Sequence, residues 1–166
     1  MLKSGATFSP CRAYRYELRR IWNPCVAGTA LACFIMLNPS TADEVANDPT
    51  VERCERRARS WGWDGLIVAN LFALRSTDPK ALKTHLDSIG PVNDDSILWA
   101  AMQSKLVVCA WGIHGKLGGR SAAVLALLRG TGIALHALKV NADGEPAHPL
   151  YLPYSLSPVP FGEVLA

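Results

Sequence analysis

The sequence lacks any apolar run long enough to cross a membrane. Its longest apolar stretch covers residues 30–37, whereas a spanning helix needs about 20 apolar residues. Residues 1–10 are of mixed composition and lack the apolar segment of a secretory signal peptide. These two absences predict a cytoplasmic protein with no membrane partner.

The sequence also lacks the cysteine spacing of a disulfide framework or a zinc site. No two cysteines are spaced as Cys-x-x-Cys, their number is odd, and several lie within apolar runs. That pattern is typical of reduced thiols in a cytosol. No histidine–cysteine cluster has the spacing of zinc ligands. We therefore predict free thiols, no metal and no cofactor. The cysteines are Cys11, Cys25, Cys33, Cys54 and Cys109.

Charge is scarce, at 19% of residues with a net charge of +3, but the arginines cluster. Together with 49% hydrophobic residues, this composition excludes a wholly disordered chain. Arginine forks suit phosphates and carboxylates, which favours a nucleotide or nucleic-acid partner. The alternative is that the clusters form a solvated helix face and an edge strand. The first cluster is Arg12, Arg15, Arg19 and Arg20, and the second is Arg53, Arg56, Arg57 and Arg59.

Strand-length segments alternate with amphipathic helical segments along the chain. Residues 14–22 alternate with period two, which predicts a strand pairing antiparallel with the second strand at the sheet edge. Continuous apolar runs predict strands that are buried on both faces. These runs cover residues 31–37, 66–71, 106–111 and 133–138.

Helix-start signals lie between these strands. Asp48-Pro49 and Asp78-Pro79 each offer a capping carboxylate followed by proline at the first helical position. The whole order predicts a three-layer α/β/α sandwich with a mainly parallel sheet and an antiparallel N-terminal edge strand. We expect one domain covering residues 1–166.

Polar side chains follow the ends of several predicted strands, and open α/β sheets bind ligands beyond those ends. We therefore expect these side chains to border one pocket. The alternatives are local: a helix cap at Ser40 or Thr41, a backbone partner for Asn70, and a surface or packing position for His148. The candidate catalytic residues are Asn38, Asp43 and His148. The candidate substrate-binding residues are Ser40, Thr41, Asn70, Arg75 and Asp78.

A glycine-rich loop at residues 112–119 precedes a predicted helix. It is a further candidate anion site, because backbone amides at a helix start attract negative charge. Its spacing matches neither a Walker loop nor a dinucleotide-binding fingerprint.

Several motifs resemble the domain-of-unknown-function family 1643 of bacteria and phages. The most specific is MLNPSTAD at residues 36–43, followed by NDPT at residues 47–50. The resemblance continues through NLFA at residues 70–73 and TDP at residues 77–79, and it ends at HPLYL, residues 148–152. The family name implies no activity.

The layout is also similar to the uracil-DNA glycosylase superfamily. Its members place Asn-Pro or Asp-Pro after an early core strand, an Asn at the end of another strand and His-Pro-Ser in a late loop, where this chain has Leu150 in place of Ser. By that resemblance Asn38 would position or activate water. Asn70 would read the edge of a flipped base, and His148 would stabilise the departing anionic base.

Two functions remain open at this stage. The first is a metal-independent hydrolase of glycosylase type, acting on a nucleobase, nucleotide or nucleic acid. The second is a non-catalytic domain that binds a small molecule or partner in the same pocket. The number of protic groups expected at one rim favours the first, and the absence of a complete catalytic motif favours the second.

Overall fold

The computed structural model describes residues 2–24 and 28–162. Seven strands in these residues form one sheet. They are β1 (Gly5–Phe8), β2 (Arg15–Ile21), β3 (Leu31–Met36), β4 (Gly65–Asn70), β5 (Leu106–Cys109), β6 (Leu135–Ala137) and β7 (Val159–Pro160). The helices are α1 (Pro49–Ser60), α2 (Ala81–Thr84), α3 (Asn93–Met102) and α4 (Arg120–Arg129). The strand order is β1-β2-β4-β3-β5-β6-β7.

The four central strands β4, β3, β5 and β6 run parallel. Every residue of β3 and β4 is buried, so apart from Asn70 at the end of β4 these segments show no polar alternation. Each of the four core strands predicted from an apolar run is present, with ends within two residues of the prediction.

Helices cover both faces of this sheet. α1 packs Val51 and Cys54 against one face, while α3 and α4 pack Ile97 and Leu128 against the other. Asp48 starts α1 by accepting a hydrogen bond from the Val51 amide at 2.8 Å, as its sequence signal predicts. The fold is therefore the predicted α/β/α sandwich.

The chain changes direction across the sheet next to β3. The crossover through α1 leads from β3 to β4 on one side, whereas the crossover through α3 leads from β4 to β5 on the other side of β3. The loops after β3 and β5 therefore diverge and leave a crevice between them. Such a switch point is where open α/β sheets bind ligands.

The pairing expected for residues 14–22 is wrong. This segment forms β2, which pairs antiparallel with β1 and with β4 and does not pair with β3. It is an interior strand, because the four-residue β1 takes the edge position. A strand as short as β1 gives almost no periodicity to detect.

Two other elements differ from the sequence expectation. The Asp78-Pro79 signal leads only to the one-turn helix α2, because Asp78 caps the backbone of Lys80 at a turn. No strand was predicted after residues 133–138, but the proline-rich tail adds the two-residue strand β7 antiparallel to β6.

The four described cysteines are free thiols: Cys11, Cys33, Cys54 and Cys109. The predicted free thiol at Cys25 lies outside the described residues. No helix within residues 2–24 and 28–162 is long and apolar enough to span a bilayer.

Candidate functional site

The loops that follow β3, β4, β5 and β6 surround a cleft of about 670 Å³. In chain order these loops contribute Asn38, Ser76, Trp111 and His148 among others. The cleft lies at the switch point, and its volume falls within the range of roughly 300–1,000 Å³ that is typical of small-molecule sites.

A smaller cavity of about 40 Å³, the inner pocket, adjoins the cleft. Arg15, Asp48 and Asn70 line the inner pocket alone. A buried water needs roughly 10–15 Å³, so the inner pocket has room for a functional group or a few waters and not for a whole ring. The side chains that line both cavities are Asn38, Ser40, Thr50 and His148.

Asn38 lies two residues after the end of β3 and joins two of the loops. Its Nδ2 donates to the carbonyl oxygens of Pro39 at 3.1 Å and Ser76 at 2.9 Å. Two carbonyl partners identify that atom as the amide nitrogen, because an oxygen could not donate to either. Asn38 Oδ1 accepts no hydrogen bond from the described residues. It is therefore an available acceptor at the boundary of the two cavities.

Asn70 is the last residue of β4 and is only 1% exposed. Its Nδ2 is buried without a hydrogen-bond partner among the described residues. An unpaired buried donor costs about 1–3 kcal/mol. Because Asn70 lines the inner pocket, a hydrogen-bond acceptor of a ligand in that pocket would pair with this amide and remove the cost.

Arg15 and Asp48 bring opposite charges to the inner pocket. Arg15 is 2% exposed and donates through Nη1 to the Ala42 carbonyl at 2.7 Å, while its Nε has no partner. Burial lowers the pKa of Arg15 to about 10, and the charge of Asp48 opposes this shift. One Asp48 oxygen accepts the Val51 amide, and no hydrogen bond or ion pair joins Asp48 to Arg15. The second carboxylate oxygen is free to act on a ligand or a water.

His148 has one ring nitrogen assigned by its surroundings. Nδ1 accepts from the Leu150 backbone amide at 3.3 Å, which leaves the proton of the neutral ring on Nε2. Burial lowers the pKa of His148, and the charge of Asp48 opposes this shift. The ring is therefore neutral at pH 7 and presents an N–H donor.

The wall formed by the loop after β5 depends on two glycines. Gly112 has φ of 74° and donates to the Pro146 carbonyl at 2.8 Å, which ties the loops after β5 and β6 together. A Cβ on Gly115 would lie 2.1 Å from Cδ1 of Trp111. Only glycine at that position leaves the indole of Trp111 in its place on the cleft wall.

Four of the eight side chains selected from the sequence lie together: Asn38, Ser40, Asn70 and His148 line the inner pocket. The other four line neither cavity. They are Thr41, Asp43, Arg75 and Asp78.

Local bonding accounts for three of the side chains that lie outside. The Asp43 carboxylate accepts the amides of Val45 and Ala46, and these bonds lower the pKa of Asp43. Arg75 donates to a carbonyl of the loop after β1, and Asp78 caps its own turn. Thr41 is exposed.

Sequence reasoning missed Arg15 and Asp48 as site residues. Arg15 is at the beginning of β2, but β2 is antiparallel to β4, so its first residue reaches the rim where the parallel strands end. Asp48 is recognisable in the sequence only as a helix cap. Trp111, directly after β5, could have been selected by the same strand-end argument that selected Asn70.

The first arginine cluster is largely internal. Arg20 donates to the carbonyls of Asp43 and Ala46 and to the side chain of Asn47. With the bond from Arg15 to Ala42, these contacts attach the loop after β3 to β2. The alternative interpretation of this cluster as part of an edge strand is therefore wrong for Arg15 and Arg20, which are buried on the interior strand β2.

The second cluster fixes the tail that carries His148. Arg53 and Arg57 both donate to the Leu152 carbonyl, and both lie over the ring of Tyr154. Arg57 is fully buried, so the solvated-face interpretation is wrong for it too. The exposed members Arg56 and Arg59 form ion pairs with glutamates one turn earlier.

Fold and cleft together define a doubly wound α/β protein with a ligand-sized cleft at the switch point of its parallel strands. In the described part of the chain, no group of three histidine, cysteine, aspartate or glutamate side chains has the arrangement of a metal site.

The chain belongs to a family described as a protein of unknown function, DUF1643, whose family model matches residues 15–150. The matched range includes every residue that lines the inner pocket and leaves out the edge strands β1 and β7. No match is found among curated proteins or among solved structures.

Proposed function

We propose that this protein hydrolyses an N-glycosidic bond, with the nucleobase in the cleft and one polar edge of the base in the inner pocket. The observation that carries the proposal is the convergence of Asn38, Asn70 and His148 on the inner pocket from loops after three different strands. These residue types supply what base excision needs, namely an acceptor for water, a reader of the base edge and a donor to the departing base.

The character of the cleft suits a neutral planar ring. Among the described residues no arginine, lysine, aspartate or glutamate lines the cleft, whereas Leu37, Trp111 and Leu152 give it apolar walls. Mostly apolar walls with a few placed polar groups are typical of small-molecule sites. A base enters such a cleft without leaving a charged group desolvated and unpaired.

The inner pocket complements an edge that carries a carbonyl oxygen beside an N–H group. The unpartnered Asn70 Nδ2 and Arg15 Nε are donors for the carbonyl oxygen. The free oxygen of Asp48 is an acceptor for the N–H group or for water. A site built from hydrogen-bonding groups rejects analogues that leave those groups unpaired.

Hydrolysis can then be written with these groups. Asn38 Oδ1 orients a water whose oxygen bonds to the sugar C1′, and Asp48 accepts the proton that the water loses. The bond from C1′ to the base nitrogen breaks and its electron pair leaves with the base. The neutral His148 stabilises the departing anion by a hydrogen bond from its Nε2–H and keeps that proton. The anion then takes up the proton that Asp48 accepted, or one from solvent.

The test is direct measurement of base release. The protein is incubated with deoxynucleosides and with single-stranded oligonucleotides containing normal bases, uracil, hypoxanthine or xanthine, and free bases are quantified by mass spectrometry. We expect release of at least one base, reduced about a hundredfold by Asn38→Ala, because water loses its orientation. Thr41→Ala is the matched control, since Thr41 is in the same loop and outside both cavities. No release from any substrate, or equal loss in both variants, would refute the proposal.

Binding without turnover is the second candidate. Both amide hydrogens of Asn38 go to loop carbonyls, as they would if this side chain only braced a ligand-binding loop. Saturable binding of a nucleoside with no free base after prolonged incubation would favour this candidate.

A further inference from the structure

We infer that a phosphate subsite adjoins the cleft, so that the ligand is a nucleotide unit and not a free base or nucleoside. This inference deepens the proposed function and rests on it for the base in the cleft, while its own evidence is a cavity that the proposed reaction does not use. The cavity, the lysine groove, has a volume of about 260 Å³. Its own lining is Leu82, Lys83, Lys116 and Leu117.

The lysine groove is continuous with the cleft wall. Pro79, Ile113 and His114 line both cavities. One elongated ligand can therefore occupy the cleft with one end and the groove with the other. The inner pocket meets the cleft at other residues, among them Asn38. The edge of the base and the part of the ligand in the groove are therefore bound by different side chains.

Charge differs sharply between the two cavities. The described lining of the cleft contains no charged side chain, whereas that of the groove contains Lys83 and Lys116 and no carboxylate. A ligand that fits both is neutral at one end and anionic at the other. A nucleoside attached to a phosphate ester has that distribution, and lysine binds phosphate as a point charge.

The two ammonium groups retain donors for a ligand. Lys116 Nζ donates to the Asp143 backbone carbonyl at 2.7 Å and lies 3.4 Å from its carboxylate, which holds it beside the groove. An ammonium group has three donors, so Lys116 keeps capacity for an anion. The Lys83 side chain is exposed and makes no hydrogen bond or ion pair with the described residues.

The glycine-rich loop shapes this groove. Gly118 and Gly119 have φ of 58° and 70°, a backbone path that favours glycine. That path connects the groove-lining Lys116 and Leu117 to α4. The sequence predicted that an anion would bind to the backbone amides of this loop. In the structure the groups that line the groove and can bind the anion are instead the side chains of Lys116 and Lys83.

The experiment compares three probes that share one base: a deoxynucleoside, its 5′-monophosphate and a ten-residue single-stranded oligonucleotide. Affinities are measured by calorimetry at several salt concentrations. The double variant Lys83→Ala/Lys116→Ala is compared with Lys3→Ala/Lys105→Ala. The control removes the same charge from exposed lysines at the opposite end of the parallel strands.

We expect a phosphate-bearing probe to bind roughly tenfold more tightly than the nucleoside at low salt. The groove variant should lose this gain and reduce the salt slope by roughly 0.7 per lost contact. A gain seen already with the monophosphate identifies a mononucleotide, and a gain confined to the oligonucleotide identifies a strand.

Two results would overturn the inference. If the phosphate adds no affinity, or if the groove variant keeps the gain, the subsite is absent and the proposed function still stands on nucleoside binding. If none of the probes binds and no base is released in the hydrolysis assay, the proposed function falls together with the subsite.

Discussion

Replacing Asn70 with leucine should stabilise the protein and abolish ligand binding in the inner pocket. Asn70 is 1% exposed and its Nδ2 has no partner among the described residues. Leucine has nearly the same shape as asparagine and no polar atoms. Asn70→Leu therefore removes an unsatisfied donor without creating a cavity, next to the apolar side chains of Met36 and Val68.

The expected gain follows from the cost of the unpaired donor. A buried unsatisfied group costs about 1–3 kcal/mol, and Asn70→Leu should raise the free energy of unfolding by about that amount. For a chain of 150–250 residues, 1 kcal/mol shifts Tm by about 2–4 °C. The melting temperature should thus rise by roughly 2–12 °C.

The measurement is urea unfolding followed by tryptophan fluorescence, with ligand binding measured on the same samples. Asn47→Leu is the matched control. Asn47 has both ends bonded, with Oδ1 accepting from Arg20 at 2.8 Å and Nδ2 donating to Glu55 at 2.8 Å. It lies outside the inner pocket, so this variant should be less stable than wild type and keep binding.

Lower stability of Asn70→Leu would refute the reasoning. It would mean that the Asn70 amide is satisfied in the native protein and is a structural group. If Asn70→Leu is more stable but binds ligand as well as wild type, the unpaired amide of Asn70 has no role in binding. Asn70 would then not belong to the site.

The remaining predictions concern the other site residues. Asp48→Asn should keep the α1 cap, because asparagine caps as well as aspartate, and should lower base release about 10²–10⁴-fold through loss of the proton acceptor; equal rates would exclude that role. Gly115→Ala should cost about 1–3 kcal/mol because its Cβ overlaps Trp111, and a wild-type melting temperature would contradict the packing. Burial lowers the pKa of His148 below 6.5. As the pH falls, the histidine of the unfolded chain is therefore protonated before that of the folded protein. Stability should therefore fall as pH drops from 6.5 towards the lowered pKa. Melting curves of His148→Gln should lose that part of the pH dependence.

The sequence predicted the core of the fold because burial leaves a direct mark on composition. The segments that became β3 and β4 are buried on both faces, so their apolar runs were unambiguous. β1 and β7, with four and two residues, are too short to show a hydrophobic period. The partner of β2 was predicted wrongly because hydrophobic periodicity carries no information about which strand lies alongside.

The strand-end rule located the rim of the site but did not say which side chains face inward. Asn38 and Asn70 line the inner pocket because both lie within two residues of the carboxyl ends of β3 and β4. Asp43 and Asp78 are further along their loops, where carboxylates bond to nearby backbone amides. A carboxylate in a tight turn generally has such a local partner, and this competition is invisible to a rule based on strand ends.

The arginines on β2 and α1 give the site a frame that does not titrate. Arg20 and Arg53 donate mainly to backbone carbonyls of the loop after β3 and of the tail beyond His148. Carbonyl oxygens do not ionise in the physiological range, and guanidinium groups stay protonated there. Acidification would protonate the carboxylates of ion pairs and break them, but it leaves these arginine–carbonyl hydrogen bonds intact. A pH profile of this protein should consequently report the titration of His148 itself, on a scaffold whose geometry stays constant around it.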